Sequence, residues 1–232
     1  MKTYGLIGFP LTHSFSQKYF TEKFQREGIT DCNYELYPIE SVNELNGLIK
    51  SNANLHGLNV TIPYKQLILH HLSSVKEIPF GLKACNCIKI KAGKTYGYNT
   101  DIIGFERSLL PHLKPNHTNA LILGNGGAAE AVKFVFDKLN IRYKIISRKI
   151  QDGSELTYGD LNKTIIEENK LIVNTTPLGT FPNIDDCPEI PYQFLTPQHF
   201  LYDLVYNPEK TLFLQKGEAS GATIKNGYEM LI

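Results

Sequence analysis

Residues 120–129 read Ala120-Leu121-Ile122-Leu123-Gly124-Asn125-Gly126-Gly127-Ala128-Ala129. Four apolar residues followed by G-x-G-x-x-A describe a short buried strand, a tight turn and the start of a helix. In that pattern Gly124 permits the turn, Gly126 lets the backbone approach a pyrophosphate, and Ala129 is small enough for the helix to lie close on its sheet. Amides at a helix N-terminus hold phosphate oxygens, which adds Gly127 and Ala128 to the candidate set. A lone glycine match also describes an ordinary strand-to-helix turn. Here a helix over Gly127–Leu139 and a second strand over Tyr143–Ser147 complete the unit, and this favours dinucleotide binding.

The end of that second strand bears on which dinucleotide is bound. An NAD site places an acid roughly twenty residues after the glycines to bind the ribose 2′-OH. This chain has Ser147-Arg148-Lys149 there, with no carboxylate until Asp152. Two cations and a hydroxyl suit a 2′-phosphate, because guanidinium grips phosphate with paired hydrogen bonds. NADP is therefore the expected cofactor, the alternative being a solvated basic strand end.

Outward from this unit the same alternation continues. Strands are predicted at Tyr4–Gly8, Asn33–Pro38, Leu55–Val60, Leu171–Asn174 and Phe200–Leu204, with a hairpin of Cys87–Ile90 and Thr95–Tyr98. Helices are predicted at Ser16–Glu27, Ser41–Lys50 with Ser41 as cap, Tyr64–Leu72 after Pro63, and Asp101–Leu110. Strands separated by helices imply an α/β fold with parallel sheets. The polar, proline-bearing stretch His112–Asn119 reads as a domain seam.

Composition narrows the function classes. The 232 residues are 42% hydrophobic and 20% charged, which excludes a disordered or coiled-coil chain. Twenty-four Lys+Arg against 23 Asp+Glu give a net charge of +1, so no nucleic-acid or anionic-membrane partner is expected. No apolar run approaches the ~18 residues of a membrane span, and there is no secretory leader pattern. Cys32, Cys85, Cys87 and Cys187 are too few for a disulfide scaffold and read as reduced thiols of a cytoplasmic protein. The seven histidines and four cysteines form no ligand cluster, so no metal is expected.

A second set of residues lies at predicted strand ends and helix starts in the first half: His13-Ser14-Phe15-Ser16, Asn59-Val60-Thr61-Ile62-Pro63-Tyr64-Lys65 and Asn99-Thr100-Asp101. Open α/β sheets build their sites at such positions, and hydroxyl and amide groups suit a polyhydroxylated ligand. Taken singly, Ser14 and Ser16 also read as helix caps, Lys65 as a surface lysine and Asp101 as an N-cap.

Taken together, in order along nearly the whole chain, these segments resemble the shikimate dehydrogenase family. The similarity runs through Gly8-Phe9-Pro10, the Ser14–Ser16 segment, Asn59 to Lys65, Asn99-Thr100-Asp101 and Gly124–Ala129. It continues through Asn174-Thr175-Thr176-Pro177-Leu178-Gly179, Tyr202 to Pro208, and Gly227-Tyr228-Glu229-Met230-Leu231. The resemblance implies two α/β domains: a substrate domain over 1–103 plus 211–232, and a Rossmann-type NADP-binding domain with a parallel sheet over 104–210. It implies reversible reduction of 3-dehydroshikimate to shikimate, in aromatic amino-acid and chorismate biosynthesis, with a quinate/shikimate dehydrogenase of relaxed substrate or cofactor use as the alternative. Lys65 and Asp101 would form the catalytic pair. Ser14, Ser16, Asn59, Thr61, Asn86 and Tyr206 would contact substrate. Arg148 would bind the 2′-phosphate, and Thr175, Thr176, Val205 and Gly227 would lie near the cofactor's ribose and nicotinamide. The partner is then a small molecule, and the protein a monomer or homodimer. Ile102 stands where the family often has Gly, and Cys87 where Thr is common after Asn86. Met230-Leu231-Ile232 reads as the apolar start of a helix that the natural chain is expected to continue.

Overall fold

A computed structural model describes residues 1–12, 14–150 and 154–231. His13, Gln151, Asp152, Gly153 and Ile232 lie outside the described residues, and with them part of the His13–Ser16 motif and the first acid after Ser147. The chain divides into two units, Met1–Thr100 and Asp101–Ile232.

In the first unit the described strands form a sheet in the order β2-β1-β3-β4-β5, from β1 (Lys2–Gly8), β2 (Cys32–Pro38), β3 (Leu55–Val60), β4 (Cys87–Lys91) and β5 (Lys94–Tyr98). β1 runs parallel to β2 and β3, whereas β4 is antiparallel to β3 and β5, so this sheet is mixed. The predicted hairpin is present: Ala92 and Gly93 both take positive φ, at 51° and 71°, as a two-residue turn of matching twist requires. Helix α1 (Ser16–Arg26) lays Phe20 and Phe24 against Tyr4, Leu6 and Tyr34 on one sheet face.

Two helices differ from their sequence expectations. The segment after Ser41 starts as a 3₁₀ turn, Val42–Glu44, before α2 (Leu45–Ser51); Ser41 Oγ accepts from Asn43 N and Glu44 Oε1 accepts from Ser41 N at 2.7 Å, a reciprocal cap. The predicted helix over Tyr64–Leu72 is only a 3₁₀ helix, Leu67–His71. Tyr64 and Ile68 are its buried points and Leu67 is exposed, so the segment pins to the core at two places and has no continuous apolar face.

In the second unit the described strands form one parallel sheet in the order β11-β10-β9-β6-β7-β8: β6 (Asn119–Leu123), β7 (Arg142–Ser147), β8 (Leu156–Thr157), β9 (Leu171–Asn174), β10 (Phe200–Asp203) and β11 (Thr223–Asn226). Alternation along β6 explains the layers. Ala120 and Ile122 face a core with Phe105 and Leu109 of α3 (Asp101–Leu109) and Val132 and Phe136 of α4 (Gly127–Lys138). Leu121 and Leu123 face the other core, with Ile166 of α5 (Lys163–Glu168) and Phe213 and Leu214 of α6 (Leu212–Ala219). A strand buried on both faces reads as a continuous apolar run, as β6 does.

Residues 211–232, expected to return to the substrate domain, group here with the second unit. β11 hydrogen-bonds in register with β10 from Phe200↔Thr223 to Asp203↔Asn226, and α6 buries Phe213 and Leu214 against the same sheet. Residues 101–103 likewise open α3, whose Phe105 and Leu109 are buried in the second unit's core.

Candidate functional site

In the first unit the candidate residues collect at the C-terminal ends of β1 and β3. Thr61 N donates to Ile7 O at 2.9 Å and Phe9 N to Ile62 O at 3.1 Å, which ties the turn leading toward α1 to the segment after β3. Ser14 Oγ accepts from Ser16 N at 3.3 Å, a local turn just before α1, whose N-cap position is held by Phe15 without a side-chain cap. Lys65 follows Tyr64, which is fully anchored: its hydroxyl donates to Ile39 O at 2.6 Å. Lys65 O accepts from Cys85 N at 2.7 Å, and Asn86 O accepts from Val60 N at 2.9 Å. These bonds draw the Cys85-Asn86 segment against the Thr61–Lys65 turn. Asn86 is buried and reads the chain end of the unit with both faces of its amide: Nδ2 donates to Thr100 Oγ1 at 2.9 Å, and Oδ1 accepts from Thr100 N at 2.8 Å. Thr61, Lys65 and Asn86 are thus brought together at one sheet end.

Asn59 sits differently. It lies inside β3, and its Oδ1 accepts from the Tyr34 hydroxyl at 2.8 Å, with Tyr34 stacked on Phe20 at 4.4 Å between ring centroids. Asn59 and Tyr34 also wall a cavity of about 580 Å³ with Tyr4, Phe20 and Phe24.

In the second unit the glycine turn has the geometry the sequence motif requires. Gly124 has φ +105°, and a Cβ there would stand 2.8 Å from Thr175 Oγ1 and 2.9 Å from Thr176 Cγ2, so only glycine fits. Gly126 has open space where a Cβ would be, a cradle into which a pyrophosphate can approach the backbone. Ala129 N closes the first turn on Gly126 O at 2.9 Å, leaving the Gly127 and Ala128 amides at the position where helices hold anions. Thr175 supports the turn from below: its N and its Oγ1 both donate to Leu123 O, at 2.9 and 2.8 Å. At the end of β7, Arg148 and Lys149 are exposed, whereas Ser147 is buried and its hydroxyl donates to Lys149 O. Ser147 thereby shapes the turn that presents the two cations. The donors and the open backbone fit a dinucleotide carrying an extra phosphate.

Asp101 opens α3 and Tyr206 follows β10, both half-buried in the second unit; burial pushes the Tyr206 phenol up from its ordinary value. Val205 is buried, and its carbonyl accepts from Gly227 N at 3.4 Å, which places Gly227 beside it at the end of β11.

The sequence reading assigned no role to three fully buried polar residues between these elements: Asn174, Asp203 and Thr211. Asp203 Oδ1 accepts from Asn174 Nδ2 and from Val205 N, each at 3.0 Å, and Oδ2 accepts from Thr211 Oγ1 at 2.5 Å. Asn174 Oδ1 accepts from Thr176 N at 3.0 Å and Thr176 Oγ1 at 2.6 Å. Burial lifts the Asp203 carboxyl to about 7, against the opposing pull of Thr211, Val205 and Asn174. The signal was present as an amide and a carboxyl closing two otherwise apolar strands, Leu171–Asn174 and Phe200–Asp203. Among the described residues no group of three or more His, Cys, Asp or Glu could hold a metal, and no helix is long and apolar enough to cross a membrane.

Comparison with known proteins adds to this geometry. Residues 6–88 match the family described as shikimate dehydrogenase substrate binding domain. The shikimate dehydrogenase (NADP(+)) of Desulforamulus reducens is 34% identical over 250 residues, covering 98% of this chain and 85% of the relative. That of Clostridium beijerinckii is 36% identical over 244 residues, covering 100% and 88%. Among solved structures, shikimate 5-dehydrogenase from Thermus thermophilus in complex with NADP(H) and shikimate has a TM-score of 0.82 at 26% identity, covering 100% of this chain and 89% of the other.

Proposed function

The chain belongs to the shikimate dehydrogenase family, and on that footing we infer that it catalyses the reversible, NADP-dependent reduction of 3-dehydroshikimate to shikimate. The observation that carries this reading is the match across 98–100% of the chain to relatives of that one activity. The Gly124–Ala129 turn and the Arg148-Lys149 pair support the cofactor part independently.

When bound, the reduced cofactor NADPH would supply the hydride for the ketone carbon, and the oxidised cofactor NADP+ would accept it in the reverse direction. The chain's part is to hold both molecules and to deliver a proton. The Gly127 and Ala128 amides are assigned to the pyrophosphate, Arg148 with Lys149 to the 2′-phosphate, and the Thr175-Thr176, Val205 and Gly227 segments to the remainder of the cofactor. Ser14, Ser16, Asn59, Thr61, Asn86 and Tyr206 are assigned to the substrate's hydroxyls and carboxylate. As the ketone is reduced, negative charge develops on its oxygen, and a proton must reach that atom. We assign this role to Lys65 and Asp101 as the catalytic pair. A cytoplasmic setting belongs to the same reading, since four cysteines in 232 residues are too few for a disulfide scaffold.

The direct test is absorbance at the nicotinamide band with purified protein, offering shikimate or quinate with NADP or NAD. The reading expects shikimate with NADP to be the fastest pair. Faster turnover of quinate with NAD would overturn it in favour of a quinate dehydrogenase.

A further inference from the structure

Asn174 and Asp203 close two adjacent parallel strands at the same level, Asn174 opposite Asp203 in register. Their side chains lie on the sheet face that carries α6, where Thr211 caps that helix by accepting from Leu214 N at 3.4 Å. One buried carboxyl therefore gathers three elements. Its Oδ1 holds the Val205 amide directly, and holds the Thr176 amide through Asn174; its Oδ2 holds the α6 N-terminus through Thr211. Thr176 Oγ1 in turn accepts from Leu178 N at 3.3 Å, which extends the hold along the segment after β9.

A carboxyl with no exposed surface is costly to bury, and apolar residues of similar volume often serve a core as well or better. The bonds that Asp203 accepts all come from uncharged groups, an amide side chain, a backbone N–H and a hydroxyl. What the carboxyl provides is acceptor geometry: an acceptor pair at a strand end that binds one donor from each neighbouring segment. A fully satisfied buried network of this kind specifies one arrangement of the groups it joins.

We propose that Asp203 is a positioning residue, whose carboxyl sets the two strand-end segments, 174–178 and 203–206, that present Thr176 and Val205 to the cofactor. The proposal rests on the assignment of those segments to NADP made above. Asp203 touches neither substrate nor cofactor in this account; it acts through Asn174, Thr176 and Val205.

The experiment compares Asp203→Ala and Asp203→Asn with the unmodified protein in two readouts. The first is calorimetric binding of NADP and, separately, of shikimate. Asp203→Ala is expected to weaken NADP by about tenfold or more, the consequence of freeing amides held by an acceptor that is at least partly charged. Shikimate binding should change by less than about twofold. Asp203→Asn, which keeps an acceptor toward Asn174 and Val205, should recover most of the lost NADP affinity. The second readout is amide hydrogen exchange without any ligand: the Thr176 and Val205 amides should exchange about tenfold faster or more in Asp203→Ala, with the Leu121–Leu123 amides unchanged. Should Asp203→Ala fail to fold, Asn174→Ala carries the same test, now with faster exchange at Thr176 and not at Val205. Unchanged NADP affinity and unchanged exchange in a folded variant, equal weakening of both ligands, or no recovery in Asp203→Asn would each overturn the proposal. An unmodified protein that takes no NADP would overturn the functional reading instead, and the exchange readout would still decide the role of Asp203.

Discussion

Asn174 Nδ2 donates to Asp203 Oδ1 at 3.0 Å across two neighbouring parallel strands, and both side chains are fully buried. The bond joins strand ends that the motif reading treats as separate pieces, Asn174–Gly179 and Tyr202–Pro208. It also gives the second unit a carboxyl whose charge is felt by folding.

That charge predicts a pH dependence. Burial raises the folded-state value of Asp203 to about 7, above the ordinary value near 3.9 of an unfolded Asp. A carboxyl raised in the folded state contributes stability that is fully present below the unfolded value and is lost as pH rises through the folded one. The slope is about 1.4 kcal/mol per pH unit between roughly pH 4 and pH 7. Buried His117 and His199, both lowered from their ordinary values chiefly by burial, pull the other way, so total stability is a poor measure. Urea unfolding of the unmodified protein and of Asp203→Asn at pH 5 and pH 8 isolates the effect. The advantage of the unmodified protein should shrink by about 2–4 kcal/mol between the two. A constant difference would remove the case for a raised Asp203.

The two glycines of the turn should fail in opposite ways. Gly124→Ala forces a side chain into positive φ and against Thr175 and Thr176, and should cost about 1–3 kcal/mol of stability. Gly126→Ala meets open space at φ −92°, so stability should stay within about 0.5 kcal/mol. Its methyl group then occupies the cradle, and NADP affinity should fall by about tenfold or more. Thermal unfolding and calorimetric titration of both variants check the contrast.

Arg148 is exposed just after β7, where its guanidinium is open to a phosphate. Arg148→Ala should weaken NADP by about 1–3 kcal/mol and leave NAD nearly unchanged, as removal of a charge-assisted pair to the 2′-phosphate requires. Equal loss for both cofactors would mean that Arg148 acts elsewhere.

Much of this was legible in the sequence, for identifiable reasons. Leu121–Leu123 and Leu171–Val173 are apolar at every position because both sheet faces are covered, and Gly124 and Gly126 mark a turn whose backbone demands them. The place of 211–232 was not legible. Thr223–Asn226 is a short strand of half-buried residues without an apolar run, and only its pairing with β10 assigns it to the second sheet. Ser147 read as a phosphate ligand because a hydroxyl stood beside two cations; its bond to Lys149 O depends on the fold of the turn, which spacing does not encode. Asn174 lies 29 residues from Asp203, and it is the pairing of β9 with β10 that brings the two together.

Lys65 and Asp101 are proposed to handle, as a pair, the proton in the reduction of 3-dehydroshikimate. Steady-state kinetics of Lys65→Ala with shikimate and NADP test this most directly, with folding checked by circular dichroism. A fall in kcat of roughly 10²–10⁴-fold is expected, the usual range for positioned proton transfer, with a much smaller change in KM because the interaction strengthens only as charge develops on oxygen. Near-normal kcat in a folded Lys65→Ala protein would contradict it.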